Sequence, residues 1–339
     1  MYCQERDCIF RRKLDKDPYR HSRTLSLGLL FTLFISFVSC HFGDNAGSRI
    51  ALTPEQMRLE KINTIDSTTL RTIFNPDSTD GWEQLSTLSA DAWMLIDDST
   101  GYVISQKYAN EPRFMASLTK MMTCLLAIEN GKMADTVHIT EDVFICKDSR
   151  VRLGEGYLVG DLIYEMMLQS DNDAAYALAK HISGDTLTFC DMMNEKAAYL
   201  GMNSTHFANP NGMPAPDNYS TASDLVRLAR YAMRDSVFAE IVGTTDKKVP
   251  LIDGRHMDCH NTNALLTSYE GCFGIKTGFT RQAGNCLASA ATRDGTTLYL
   301  VLLNSRSMRS RFTESAILLD YGYQVMRAYH DSISSNRSW

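Results

Sequence analysis

Two strand-like stretches near residue 100 and three more beyond residue 270 bracket a long helical middle. Any sheet this chain builds must therefore join segments far apart in sequence. Ala92–Asp97 and Tyr102–Ser105 are short and apolar, separated by the turn residues Asp98-Ser-Thr-Gly101. Cys272–Lys276, Asn285–Thr292 and Thr297–Leu303 repeat the pattern, and Lys248–Ile252 with Asp253-Gly254 suggests a hairpin. Between them the period becomes helical, over Ser117–Asn130, Leu162–Leu168, Asp173–His181, Asp185–Leu200 and Ser223–Arg234, the last with Ser223 as its cap. Asn209–Pro216 must be loop, since its prolines and glycine forbid regular structure. Arg309–Tyr329 closes the chain as a helix. The pattern predicts an α+β fold, one sheet with helices packed on it.

At 339 residues the chain can hold one large domain or two smaller ones. Its 44% hydrophobic and 22% charged residues are ordinary for a globular protein. A formal net charge of −6 argues against a nucleic-acid binder, which should show a basic face.

The N-terminus carries basic residues up to Arg23, then an apolar run, Leu25–Val38, that ends at Ser39-Cys40. A run of about 14 is short for a membrane span and suits the core of an export signal. A small residue followed by cysteine resembles a bacterial lipoprotein signal, which makes Cys40 a lipidation candidate. An ordinary cleaved signal and an uncleaved anchor are the alternatives. Residues 1–40 are thus expected to export the protein, residues 41–88 to form a polar tether, residues 89–330 to fold, and residues 331–339 to form a tail. A short helix over Pro54–Lys61 is the alternative within the tether. The cysteines beyond Cys40 show no C-x-x-C spacing and no nearby histidine pattern, so no metal site is expected. Cys124 and Cys190 fall at apolar helix positions. Cys272 and Cys286 flank a hairpin, but buried free thiols are the favoured reading.

Three short patterns stand in fixed order: Ser117-Leu-Thr-Lys120, Ser170-Asp-Asn172 and Lys276-Thr-Gly278. Taken singly, each also fits a helix cap, a turn or a strand end. Together they hold the parts of a serine acyl-transfer site without a histidine. Ser117 opens a helix, where unpaired N–H groups and the dipole stabilise negative charge. Lys120, one turn on, reaches the hydroxyl, and it serves as a base only if desolvation keeps it neutral. Ser170 and Asn172, at a break between helices, supply a hydroxyl that can relay a proton and an amide. Lys276 and Thr277, at the end of a strand, can bind a carboxylate, while Gly278 permits close backbone approach.

With these patterns in place the chain resembles the penicillin-recognising serine enzymes, whose motif set this is. It is most similar to the D-alanyl-D-alanine carboxypeptidases of the S11 peptidase family. Longer stretches carry that resemblance: Ala92–Val103, Ala116–Thr123, Leu168–Ala175, Leu200–Phe207, His260–Asn263 and Gly274–Thr280. The resemblance implies an antiparallel sheet with helices on its faces and a helical subdomain. It implies Ser117 as nucleophile, Lys120 as its base, and Ser170 and Asn172 as the second catalytic element. Lys276, Thr277, Gly278, Phe279 and Thr280 would line the substrate, with the amides of Ser117 and Phe279 as oxyanion hole. The implied substrate is a peptidoglycan stem peptide ending in D-Ala-D-Ala, with β-lactams as covalent inhibitors. No cofactor, metal or nucleic acid is implied, and membrane contact would come only through the N-terminal segment. The implied location is the bacterial cell envelope.

Two departures from the family pattern stand out. Thr262 occupies the place of an arginine that assists carboxylate binding in some members. Many members also continue into a β-rich domain, whereas this sequence ends at Trp339, one helix past the last strand. A serine β-lactamase is the nearest alternative, but Glu195-Lys-Ala-Ala-Tyr199 does not match the E-x-x-L-N pattern that class A enzymes use to activate water. An endopeptidase on crosslinks would share the same parts. A non-catalytic wall-binding relative would have no chemical reason to retain Ser117, Lys120, Ser170, Asn172 and Lys276.

Overall fold

The computed structural model describes residues 85–336, apart from 147–148 and 252–253. The export segment with Cys40, the tether through residue 84, the alternative helix at Pro54–Lys61 and residues 337–339 lie outside the described residues.

Strands β1 (Ala92–Asp97) and β2 (Val103–Lys107) form the first hairpin. Two small hairpins follow, β3 (Thr136–His138) with β4 (Gly156–Leu158), and β5 (Asp246–Pro250) with β6 (His256–His260). Strands β7 (Cys272–Thr280), β8 (Gly284–Arg293) and β9 (Thr296–Ser305) complete the main sheet in the order β2-β1-β9-β8-β7. Every neighbouring pair is antiparallel. The early hairpin therefore docks on the last strand, joining the two ends of the domain.

Strand β9 sits at the centre and shows why both faces must be covered. Leu298, Leu300 and Leu302 point into one apolar cluster, and Tyr299, Val301 and Leu303 into the other. Each fully buried leucine or valine contributes about 1.5–3 kcal/mol over an exposed one. The first face takes the closing helix, Met308–Asn336, through Leu318, Leu319, Tyr323 and Met326. The second takes the helix Ala222–Ala232, behind which lie Lys120–Asn130, Asn172–Ser183, Thr186–Tyr199 and Ser236–Gly243. We number the helices α1 (Lys120–Asn130), α2 (Val159–Tyr164), α3 (Asn172–Ser183), α4 (Thr186–Tyr199), α5 (Ala222–Ala232), α6 (Ser236–Gly243), α7 (Leu265–Ser268) and α8 (Met308–Asn336).

Several expectations change in detail. The helix expected from Ser117 begins as a 3-10 turn over Ala116–Thr119, and α1 proper starts at Lys120. Helix α2 runs into a π-helical segment, Glu165–Gln169, before the Ser170 break. Thr221, not Ser223, caps α5, its hydroxyl accepting from the Asp224 amide at 3.0 Å. The lysine motif does not end its strand: β7 continues to Thr280, so Lys276 to Gly278 lie within it. The hairpin at residue 248 has its strands at Asp246–Pro250 and His256–His260, with the Leu251 amide donating to the Arg255 carbonyl beyond them. Helices α6 and α7 and strands β3 and β4 are additions, too short to show a clear period. Leu85 and Leu88, placed in the tether, are buried against the α8 face, so the folded region includes them. Residues 331–336, placed in the tail, continue α8. The six described cysteines are free, and Cys272 and Cys286 do not meet, facing Ala291 and Gly278 across the β7–β8 ladder.

Candidate active site

The site lies where the edge strand β7 passes the start of the 3-10 turn. Gly278 makes this approach possible: a Cβ there would stand 3.1 Å from the Ser117 amide nitrogen and 3.2 Å from the Met115 carbonyl. The opposite side of the turn is closed by the Asn209–Pro216 loop. Gly212, at φ +89°, presses so close that a Cβ would fall 1.9 Å from the Ala116 carbonyl oxygen. Ala116 itself adopts φ 49°. The serine is thus held between a strand edge and a loop, half-buried, at the first turn of a helical segment.

Lys120 is fully buried, and its Nζ has three neighbours. Asn172 Oδ1 lies at 2.8 Å, the Asn211 carbonyl at 2.7 Å and Ser117 Oγ at 3.0 Å. Burial lowers this amine to about 7, against the opposing pull of Asp171 and Cys146. These three contacts can be made by an ammonium as well as by a neutral amine, and burial is what favours the neutral form. A neutral amine has two N–H bonds and one lone pair. The two oxygens of Asn172 and Asn211 can only accept, so they take both N–H bonds and leave the lone pair facing the Ser117 hydroxyl. Asn172 Nδ2 points to Cys146 Sγ at 3.8 Å, consistent with the amide oxygen facing the lysine.

Asn172 is the first residue of α3, and the cap is its neighbour Asp171, whose Oδ1 accepts from the Ala174 amide at 3.0 Å. Ser170 precedes them in the left-handed conformation, φ 65° and ψ 30°, half-buried. Asp171 and Asp173 also fix the loop that leads into the site. Asp171 accepts from Ser149 Oγ and the Arg150 amide, and Asp173 accepts from the amides of Ile145 and Cys146. Burial pushes the Asp173 carboxyl up to about 6.

On the strand side, Lys276 is also buried, but among the described residues its Nζ meets only the Thr277 carbonyl, at 3.2 Å. Its pKa falls well below the usual lysine value, first through burial, then through the positive charges of Lys120 and Arg311. Arg311 comes from α8, is 4% exposed, and donates from Nη1 to the Gly278 carbonyl at 3.2 Å. Thr277 Oγ1 lies 2.6 Å from Thr262 Oγ1. Phe279 is exposed, whereas the Thr280 hydroxyl is used internally, accepting from the Ala283 amide at 3.0 Å to close the β7–β8 turn.

The structure therefore brings Ser117, Lys120 and Asn172 into direct contact and sets Gly278 against the Ser117 amide. Two participants escaped the sequence reading. The Asn211 carbonyl sits in a stretch read only as loop, and a backbone oxygen leaves no side-chain signature. Arg311 lies on the closing helix, where an arginine looks like any solvated surface charge. Among the described residues, no three His, Cys, Asp or Glu side chains converge as metal ligands.

Residues 79–307 match the family profile of D-alanyl-D-alanine carboxypeptidases, peptidase S11. The chain belongs to this family. The D-alanyl-D-alanine carboxypeptidase DacF of Bacillus subtilis is 33% identical over 245 residues, covering 68% of this chain and 61% of that protein. The D-alanyl-D-alanine carboxypeptidase of Streptomyces sp. strain K15 is 35% identical over 258 residues, covering 70% of this chain and 89% of that protein. Among solved structures, the Streptomyces K15 DD-transpeptidase superposes with a TM-score of 0.67 at 32% identity, over 70% of this chain and 98% of that one. The fold is accordingly that of the penicillin-recognising serine enzymes, an antiparallel sheet with helices on its faces.

Proposed function

We propose that this chain is a serine D-Ala-D-Ala carboxypeptidase that removes the terminal D-alanine from peptidoglycan stem peptides through an acyl-enzyme on Ser117. The observation that carries the reading is the buried Lys120 amine, saturated by two acceptor-only oxygens and turned toward the Ser117 hydroxyl. Lys120 takes the Ser117 proton as Oγ attacks the carbonyl of the penultimate D-alanine. The developing oxyanion lies at the amides of Ser117 and Phe279, donors fixed in place before reaction. Ser170 passes a proton to the leaving D-alanine amine. Lys276, Thr277 and Arg311 form the cationic edge that meets the terminal carboxylate, and the arginine compensates for threonine at position 262. The open side of β7 offers main-chain groups to the extended peptide. Water then hydrolyses the ester and restores Ser117.

The name of the K15 relative as a DD-transpeptidase favours a second fate for the same acyl-enzyme, transfer to an amine. Adding an amino-acid acceptor and measuring the transfer product against free acid separates the two. The envelope is the proposed location, reached through the N-terminal segment with Cys40 as lipid anchor; among the described residues no helix is long and apolar enough to cross a membrane.

The test is intact-mass spectrometry of the full chain with penicillin, beside Ser117→Ala. A lasting penicilloyl adduct on the parent chain, lost in the variant, is expected. Rapid penicillin loss without an adduct would assign a β-lactamase instead, and neither adduct nor turnover would leave a wall-binding protein.

A further inference from the structure

A second group of charges brackets the Ser170 turn. Glu165 opens the π-helical segment and is fully buried. Its Oε2 accepts from the Cys259 thiol of β6 at 2.7 Å, and its Oε1 lies 3.4 Å from Arg150 Nε. The main-chain amide of the same Arg150 donates to Asp171 Oδ2 at 2.8 Å. Arg150 therefore holds the chain on both sides of Ser170, its side chain on Glu165 before the serine and its backbone on Asp171 after it. Its Nη2 also donates to the Asp258 carbonyl at 2.7 Å, tying the clamp to β6.

The local backbone needs such support. A π-helical turn is rare and is frequently found at functional sites. Here it delivers a serine into the left-handed region, a conformation that persists only where its surroundings impose it. The next two residues are the cap of α3 and the amide that meets Lys120. A small slip in the turn would move Ser170 and Asn172 together. Burial, helped by the charge of Asp171, favours a neutral Glu165 carboxyl, while the Cys259 hydrogen bond and Arg150 favour the charged form; the balance lifts it to about 7. A leucine would fill the same space without that conflict, which argues that the carboxylate has a task.

We propose that Glu165 and Arg150 are positioning residues of the acyl-transfer site: their ion pair fixes the turn that sets Ser170 toward the cleft and Asn172 against Lys120. The proposal rests on the serine acyl-transfer reading and adds two residues that touch neither substrate nor nucleophile.

The test compares Glu165→Gln, Arg150→Met and the double variant of the full chain. It measures the rate of penicillin acylation of Ser117 by time-resolved intact mass, with thermal melting alongside. Arg150 is partly exposed, its side chain at 37%, so its replacement should leave a folded protein. Each single variant should slow acylation about tenfold or more, because small misplacements of catalytic groups are costly. The double variant should be no slower than the slower single, since one ion pair is removed in each case. Glu165→Asp should recover part of the rate. Acylation within twofold of the parent chain in both single variants would overturn the proposal. So would a lower melting temperature with an unchanged rate for the folded fraction, which marks a merely structural pair. A parent chain that penicillin does not acylate would overturn the nucleophile reading and this proposal together.

Discussion

Lys120 and Lys276 are the same residue type, both buried, on the two walls of one cleft, yet their surroundings give them different tasks. The helical wall surrounds Lys120 with two acceptor oxygens and the Ser117 hydroxyl. Among the described residues the strand wall leaves Lys276 one weak carbonyl contact, beside the buried cation Arg311. The first environment completes the hydrogen bonds of a neutral amine. The second is a site of unmet positive potential, which a substrate carboxylate would satisfy. Burial lowers both lysines, and what differs is whether the protein or the ligand supplies the partner.

The largest test of this contrast is removal of each amine. Lys120→Met should lower acylation about 10²–10⁴-fold for every substrate, the usual loss on deleting a general base. Lys276→Met should lower kcat/KM roughly 10–100-fold, the scale of one charged hydrogen bond, and only for substrates with a free terminal carboxylate. Steady-state kinetics on a peptide and its amidated counterpart would show the difference. Equal losses on both peptides for both variants would end the distinction.

A second consequence concerns pH. With Lys120 lowered to about 7, its neutral fraction falls tenfold per unit below that value and saturates above it. Acylation should therefore rise with pH through about 7 and then level. A rate that falls over this range would show that the charged amine is the active form.

A smaller effect should appear on ligand binding. Lys276 is driven toward its neutral form in the empty site, and an arriving carboxylate favours the ammonium. Binding of a carboxylate ligand should take up protons, by an amount below one per site. Calorimetry at one pH in two buffers of different ionisation enthalpy measures this, and the uptake should vanish in Lys276→Met.

The smallest expected effect lies at the seam between the two walls. Gly278→Ala would press a methyl group to 3.1 Å from the Ser117 nitrogen and the Ala116 Cβ. Such crowding costs about 1–3 kcal/mol, and a domain of this size loses roughly 2–4 °C in Tm per kcal/mol. Acylation should fall with it, since the turn that carries Ser117 must move. Unchanged melting and acylation would show that the seam has slack.

The two walls also differed in how well they could be read in the sequence. Lys276-Thr-Gly278 was read as the end of a strand, since β-periodicity is local and the neighbours across the ladder are regular. Only the strand's end was misplaced, because pairing with β8 carries it through Gly278 to Thr280. On the helical wall the side chains Ser117, Lys120, Ser170 and Asn172 were legible as residue types. The 3-10 start at Ala116 and the π-segment before Ser170 were not, because both depend on outside contacts: the loop at Gly212 and the Arg150 clamp. The cap of α5 shows the same limit on a smaller scale, where Thr221 and Ser223 are chemically alike and only the chain path chose between them.

The sequence by itself determined the order of elements, the apolar alternation that buries β9 on both faces, and the reactive side chains, because periodicity and chemical type are written residue by residue. Tertiary structure alone decided which acceptors saturate Lys120, that Arg311 reaches the strand from the far end of the chain, and that Lys276 keeps a single carbonyl contact among the described residues. Those outcomes depend on a backbone carbonyl, on burial and on charges distant in sequence, quantities that exist only once the segments are packed together.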